Sequence, residues 1–271
     1  MIDHPDNASL QSSPPVDPLK KLWVYTNYHC NLQCSYCLAE SSPKAAHRTM
    51  SLETVKRIVD EALELQFEQV YFTGGEPFLL NDIYPMLAYS SQRVQTGVLT
   101  NGMLLRGKRL ECLQAIQNEH LLVQVSLDGS RAEQHDPYRG KGSWLKTMEG
   151  IHILLELGFQ VRISTTETPS NKAHLPEICA FHQSLGIPEE DHVIRPLARR
   201  GFSSEGLKIG KENLVPEITI DQEGVYWHPL STDADMLVTK KVFPLREAVY
   251  QVRKDLDAID AANQEPLHTF Q

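Results

Sequence analysis

The stretch LWVYTNYHCNLQCSYC, residues 22–37, sets the reading of the whole chain. Its opening LWVYT is rich in the β-branched and aromatic side chains that suit a strand. The run breaks after residue 26 and gives way to a loop carrying Cys30, Cys34 and Cys37. Moving outward, Ser51 reads as an N-cap with Glu53 in the first turn, and Val55, Ile58, Val59, Ala62 and Leu63 form one helical face. QVYFTGG (69–75) is the next strand, stopped by glycines, and VLTNG (98–102) ends a third in an Asn-Gly turn. LLVQVSLDG (121–129), QVRISTTET (160–168) and HVIRPL (192–197) read as strands four to six. Helices are expected at 82–93, 108–118, 143–157 and up to about 185, with Gly158 and Gly186 as stops. Six strand-then-helix units, with strands apolar on both faces, predict an α/β fold: a parallel sheet flanked by helices. Eight units would close a barrel, so six predict a partial (βα)6 TIM-like barrel. From about Ala198 the alternation fails. A Gly/Ser-rich connection, a hairpin turning near Gln222, Glu223 and Gly224, and a charged helix over 245–262 predict a small C-terminal α/β appendage. The expected organisation is a disordered leader at 1–19, the partial barrel at 20–200 and the extension at 201–271.

The 271 residues are 41 % apolar and 23 % charged, which is ordinary globular usage and excludes disordered, collagenous and low-complexity chains. With 26 basic against 35 acidic residues the net charge is −9, which argues against general nucleic-acid or anionic-membrane binding. No apolar run approaches the roughly 18 residues of a membrane span. The N-terminal MIDHPDNASLQSSPPVDP lacks the basic-then-apolar order of a signal peptide, so the expected location is the cytoplasm. Neither nucleic acid nor membrane is expected as a partner.

Cysteine usage is more informative. An odd count of five, without an export signal, argues against a disulfide framework. Three of the five fall within eight residues. Three thiolates on a tight loop suit an iron–sulfur cluster. Zinc is a rival if His29 or His47 closes the tetrahedron, and unliganded thiols are a third reading. Cys112 and Cys179 sit in helical patterns and read as buried apolar thiols. Arg195, Arg199 and Arg200 form a basic patch that could meet an anionic substrate or a solvated surface, and His228 reads as structural.

The segment CNLQCSYC, with Tyr36 just before the third cysteine, resembles the motif of the radical S-adenosylmethionine (SAM) superfamily. Gly74-Gly75-Glu76-Pro77, LTNG (99–102), VSLDG (125–129) and HDPYRG (135–140) come after it in that family's order. The pattern is similar to the SPASM/twitch-like subgroup. That resemblance implies one 4Fe–4S cluster held by Cys30, Cys34 and Cys37, with SAM at the iron the cysteines leave open. It implies reductive cleavage to a 5′-deoxyadenosyl radical, hydrogen abstraction from substrate, and an external one-electron donor of flavodoxin or ferredoxin type. It places Tyr36 near the adenine and Gly74 and Gly75 where backbone approaches the methionine moiety. Glu76 is placed on the cofactor's amino group, Ser126 on its ribose or carboxylate region, and Arg139 on its carboxylate. No catalytic residue is implied beyond the cluster. Asn101 and Asp128 read as turn residues outside the cofactor set. No cysteine follows Cys179, so the extension lacks auxiliary-cluster ligands and reads as a cluster-free remnant or cap. The expected substrate is a small natural-product precursor or a peptide. Alternatives are a maturase of a ribosomally made peptide working with a partner protein, and a non-catalytic zinc- or Fe–S-stabilised binding or redox-sensing protein.

Overall fold

The computed structural model describes residues 18–262 and residue 267. The expected leader therefore lies outside the described residues as far as residue 17. Its last two residues enter a 3-10 turn, Pro18–Lys20, in which Leu19 is buried.

Six parallel strands run in sequence order: β1 (Lys21–Asn27), β2 (Gln69–Gly74), β3 (Gln95–Thr100), β4 (Leu121–Ser126), β5 (Gln160–Glu167) and β6 (His192–Pro196). The helices between them are α1 (Leu52–Glu64), α2 (Ile83–Ser91), α3 (Lys108–Gln114), α4 (Ala132–Arg139), α5 (Ser143–Glu156) and α6 (Leu175–Ser184). Strand order β6-β5-β4-β3-β2-β1 leaves β6 and β1 unpaired with each other, as an open barrel requires. Ser51 caps α1 as its sequence suggests, accepting the Thr54 N–H at 3.1 Å. One helix is not among those expected from the sequence: α4 runs through His135-Asp136-Pro137. Pro137 forgoes one helical hydrogen bond there, and Gly140 ends the helix in a positive-φ conformation.

The strands are not apolar on both faces. Leu22, Val24, Val70, Phe72, Val98, Val123, Val125 and Ile163 alternate onto the helix-covered side and are buried in the main core. Burying each such side chain is worth about 1.5–3 kcal/mol against exposure. The alternate residues line cavities instead, and they are aromatic, polar or charged: Trp23, Tyr25, Tyr71, Thr73, Gln124, Ser126, Arg162, Ser164, Thr166 and Arg195. Gly97 belongs to this inner face, and a Cβ there would lie 2.3 Å from the Tyr71 ring. Glycine is what lets that ring cross the lumen.

The C-terminal residues extend the same sheet on the β1 side. β7 (Thr219–Ile220) pairs in parallel with β1, and β8 (Val225–Tyr226) and β9 (Leu237–Thr239) continue antiparallel. The β7–β8 turn forms where expected, with Asp221 accepting the N–H groups of Glu223 (2.7 Å) and Gly224 (3.0 Å). The last helix, α7 (Leu245–Ala262), packs on α1 and β9 through Leu245, Ala248, Val249 and Val252.

Candidate functional site

The cysteine loop leaves β1 at its C-terminal end, where parallel α/β sheets gather their ligands. Its root is pinned to the end of β2. Gly75 N–H donates to the Asn27 carbonyl (2.8 Å), Glu76 N–H donates to the His29 carbonyl (2.9 Å), and the Asn27 amide donates to the His29 (2.9 Å) and Glu76 (3.1 Å) carbonyls. A Cβ on Gly74 would lie 2.2 Å from the Asn27 carbonyl oxygen, and one on Gly75 would lie 2.1 Å from that of His29. Both glycines line the cavity, but the close approach that requires them is that of the cysteine loop. The far side of the loop is held by Ser35 N–H to the Tyr138 carbonyl (2.9 Å) and Phe202 N–H to the Cys37 carbonyl (3.1 Å).

All three thiols border one cavity. Leu32 N–H points at Cys30 Sγ (3.4 Å) and Ser41 N–H at Cys37 Sγ (3.3 Å), and the Asn101 amide stands 4.0 Å from Cys30 Sγ. Donors aimed at sulfur suit thiolates bound to iron, whose electronics such hydrogen bonds tune. Burial, reinforced by the Glu76 charge, pushes the Cys30 thiol up to about 12, and burial pushes Cys34 up to about 11. These two sulfurs become thiolates only with a cation to compensate them. Among the described residues no three His, Cys, Asp or Glu side chains are gathered closely enough for a single ion. A cubane makes a different demand, since each thiolate binds its own iron. His29 and His47, the candidate fourth zinc ligands, stack on each other with centroids 4.3 Å apart. The donor set therefore fits a cluster better than a zinc ion.

The cavity holds about 1230 Å³ of space free of protein atoms, part of it open to solvent. One wall is the cysteine loop with the ends of β2 to β5: Gly74, Gly75, Thr100, Asn101, Ser126, Ser164 and Thr166. The other is β1, β6 and the C-terminal segment, including Trp23, Tyr25, Arg195, Glu217, His228 and Leu230. That segment is latched on by the Tyr25 hydroxyl donating to the Pro229 carbonyl (2.6 Å) and the Tyr28 hydroxyl donating to Asp221 (2.5 Å). Trp23 also donates its indole N–H to Glu217.

Tyr36 and Arg139 meet at Asp128, which the sequence alone presents as a turn residue. Asp128 is fully buried, and one of its oxygens accepts both the Tyr36 hydroxyl and Arg139 Nε (2.7 Å). Its other oxygen accepts the Thr166 N–H (2.9 Å). Burial raises the Asp128 carboxyl, but Arg139 and His135 outweigh it and hold the group below the ordinary carboxylate range. Burial opposes the charge on Arg139 too, and Asp128 more than restores it. His135 is pushed down to about 4, chiefly by burial, and its neutral Nδ1 accepts the Asp128 N–H (3.1 Å). A buried ion pair thus ties the loop, β4, α4 and β5 together.

Glu76 is held by donors of its own chain. It is fully buried and lies outside the cavity wall. Its carboxylate accepts from Phe78 N–H (3.1 Å), the Thr100 hydroxyl (2.8 Å) and Asn101 N–H (2.9 Å). These donors of its own chain take two acceptor sites on Oε1 and one on Oε2, which leaves one acceptor site on Oε2. Burial pushes it up to about 7 against those three hydrogen bonds.

Ser126 and Arg139 line the cavity. Asn101, a turn residue by its sequence, lines it too and also binds Asn31 through its amide (2.8 Å). Nothing in the dipeptides Asn-Gly and Asp-Gly reveals the burial of Asn101 and Asp128. Glu217 and His228 are not legible in the sequence as cavity residues, because they come from a segment whose pairing with β1 has no local signal. Burial raises Glu217, yet Lys21 and His228 outweigh it and hold its carboxyl low, while burial pushes His228 down to about 4. The basic patch divides: Arg195 faces the cavity, Arg199 is exposed, and Arg200 pairs with Asp233 (3.1 Å) and Asp235. Cys112 and Cys179 lie apart on α3 and α6.

Comparison with known proteins gives the same direction. The AdoMet-dependent heme synthase of Oleidesulfovibrio alaskensis is 32 % identical over 169 residues, covering 60 % of this chain and 42 % of that protein. The mycofactocin maturase MftC of Mycolicibacterium smegmatis is 33 % identical over 184 residues, covering 67 % of this chain and 46 % of that protein. The chain thus spans less than half the length of these curated relatives. The solved structure of anSMEcpe with bound AdoMet has the same fold, with a TM-score of 0.67 at 14 % identity, covering 86 % of this chain and 78 % of that one. The family model for the radical SAM superfamily matches residues 24–175. That span takes in the cysteine loop, the Gly74-Gly75 junction and the Asp128–Arg139 pair, and it identifies the chain as a member of the radical SAM superfamily.

Proposed function

We propose that the chain is an enzyme that holds one 4Fe–4S cluster through Cys30, Cys34 and Cys37, binds SAM against the strand ends, and abstracts hydrogen from a small natural-product precursor or a peptide. The observation that carries this is the single cavity bordered by three thiols, two of them with backbone N–H groups aimed at the sulfur. When bound, the cluster and SAM supply one-electron reductive cleavage to methionine and a 5′-deoxyadenosyl radical. The chain's own part is to position and to shield. Tyr36 and Ser126 line the cofactor's side of the cavity, and Arg139 keeps N–H donors beyond those given to Asp128 for a carboxylate. Gly74 and Gly75 contribute backbone to that wall. The extension assigned to 201–271 follows the barrel at 20–200, and its described residues up to Ala262 cover the β1 side, which limits water and stray hydrogen donors. The electron comes from an external flavodoxin- or ferredoxin-like donor. A heme synthase and a maturase match the chain at nearly equal identity, which supports both substrate classes.

The test is anaerobic reconstitution followed by iron and sulfide analysis and assay for 5′-deoxyadenosine with a chemical reductant. About four irons per chain and formation of the nucleoside are expected. Cys30→Ala, Cys34→Ala and Cys37→Ala lose both, while Cys112→Ala and Cys179→Ala keep both. Nucleoside formation at the wild-type rate by Cys34→Ala would sink the assignment.

A further inference from the structure

We propose that the cavity wall formed by β1, β6 and the C-terminal segment is a subsite for a carboxylate of the substrate, with Arg195 as the group that recognises it. The inference rests on the enzymatic reading of the cavity above and adds the substrate's chemical class.

The inner face of the barrel carries three cations, Lys21, Arg162 and Arg195. Two of them have partners. Arg162 binds Asp191 through two nitrogens at 3.1 Å and donates to the Tyr71 hydroxyl at 2.9 Å. Lys21 lies 4.0 Å from Glu217. Arg195 differs: its Nε is shut off from solvent and finds no hydrogen-bond partner among the described residues. Its guanidinium lies over the Trp23 ring, 6.0 Å from the centroid. Asp191 answers Arg162 and Glu217 lies against Lys21, while Glu189 and Glu190 nearby are exposed, and Arg195 forms no ion pair with any of them among the described residues. Burial also makes the charge on Arg195 harder to keep, since its pKa is lowered chiefly by desolvation. A desolvated guanidinium with no bound counter-charge is costly, and an anion arriving at its cavity-facing edge offsets that cost.

The surroundings narrow the anion. A guanidinium presents a planar fork that matches a carboxylate through two parallel hydrogen bonds. The cavity it faces is also lined by the rings of Trp23 and Tyr25 and by Pro229 and Leu230. Glu217, buried at the same wall, disfavours a second negative charge. The site therefore suits a single carboxylate on an apolar or aromatic body. A free small-molecule acid and a peptide C-terminus both meet that description.

The experiment uses the anaerobically reconstituted full chain and reads binding by titration calorimetry. Two probe pairs separate the sources: phenylacetate against phenylacetamide, and glycylphenylalanine against its C-terminal amide. At least a tenfold preference for the acid is expected in one pair or both. The small pair alone indicates a free acid, and the dipeptide pair alone indicates a peptide terminus. Arg195→Gln should bring the preference to within about twofold, Arg195→Lys should keep an intermediate part of it, and Glu217→Gln should tighten acid binding. No acid preference in either pair overturns the proposal. So does a preference that survives in Arg195→Gln, or a loss of SAM affinity in that variant with the acid preference intact. The wild-type comparison and Glu217→Gln remain decisive if Arg195→Gln fails to fold. Absence of 5′-deoxyadenosine from the wild type would instead refute the enzymatic reading and leave the acid preference readable on its own.

Discussion

Replacing Asp128 by Asn tests whether the buried ion pair organises the site. The two side chains are nearly isosteric, so the change removes charge and little volume. The Thr166 N–H can still be accepted by the amide oxygen, but the Tyr36 hydroxyl and Arg139 Nε lose their anionic acceptor. Arg139, 7 % exposed, is left as a buried cation facing a neutral amide. Removing one partner of a buried pair typically costs about 3–5 kcal/mol. At roughly 2–4 °C per kcal/mol for a chain of this size, Tm should fall by about 6–20 °C. Arg139→Gln alone leaves Asp128 ionised in the interior and should cost a similar amount. The double variant should be less destabilised than the sum, with a coupling of roughly 2 kcal/mol or more.

Thermal unfolding of the cluster-free protein by circular dichroism gives these values without any contribution from iron or SAM. Acid titration adds a second reading. The folded-state pKa of Asp128 is depressed, so its stabilisation is present above the unfolded value near 3.9 and is lost as pH falls through the lower folded value. Wild type and Asp128→Asn should therefore differ by a constant amount between pH 5 and 7 and converge in strong acid. A Tm loss under about 2 °C for Asp128→Asn, or additive effects in the double variant, would refute the pair's organising role.

Glu76 has the opposite sign. Its folded pKa is raised to about 7, so its contribution is fully present below the unfolded value and is lost as pH rises through 7. Wild-type stability should decline by roughly 3 kcal/mol between about pH 4.5 and 7.5 from this group, and Glu76→Gln should flatten that slope in denaturant titrations. An unchanged slope would remove Glu76 as its source. Gly75→Ala places a Cβ against the His29 carbonyl and should displace the cysteine loop, with iron incorporation falling at least severalfold in anaerobic reconstitution. Gly158→Ala makes the contrast. Its φ is +73° with open space around it, so it should cost about 1 kcal/mol of stability, read as a lower Tm, and leave iron content unchanged. Equal iron loading in the two glycine variants would contradict the packing argument.

How much of the molecule is legible in its sequence depends on the range of the interactions involved. The strand-and-helix order and the caps at Ser51 and Gly158 are set by neighbours within a few residues, so they are written locally. The three cysteines are legible for the same reason, since their spacing is their chemistry. Glu76 shows where local reading stops. Its place after two glycines suggests a ligand, and nothing near it in the sequence reveals that Thr100 and Asn101 arrive from the next strand to donate to it. Asp128 shows the reverse, a turn residue by its neighbours and a buried anion by the packing of Tyr36 and Arg139. The two faces of the strands are hard to tell apart in the sequence because Trp23, Tyr25 and Tyr71 are apolar enough to pass for core. In the structure they surround a lumen that also admits Arg162 and Arg195.

The C-terminal segment is where these long-range effects converge. Its parallel pairing of β7 with β1 brings Glu217 and His228 to the cavity, some 190 residues from the β1 side chains they face. The absence of cysteines after Cys179 suggests an inert cap. Its side chains argue otherwise. Glu217 is held ionised within the wall, and His228 receives the Leu230 N–H on Nδ1 (3.2 Å), so its proton sits on Nε2. A segment serving only as a cover would reach the same end more cheaply with aliphatic residues, since burying ionisable groups is costly. The cost is understandable if this wall discriminates among molecules entering the cavity. On that argument the barrel supplies the binding elements shared across the superfamily, and the β1–β6–β7 wall, with Arg195 and Glu217 of opposite charge, sets what this chain admits.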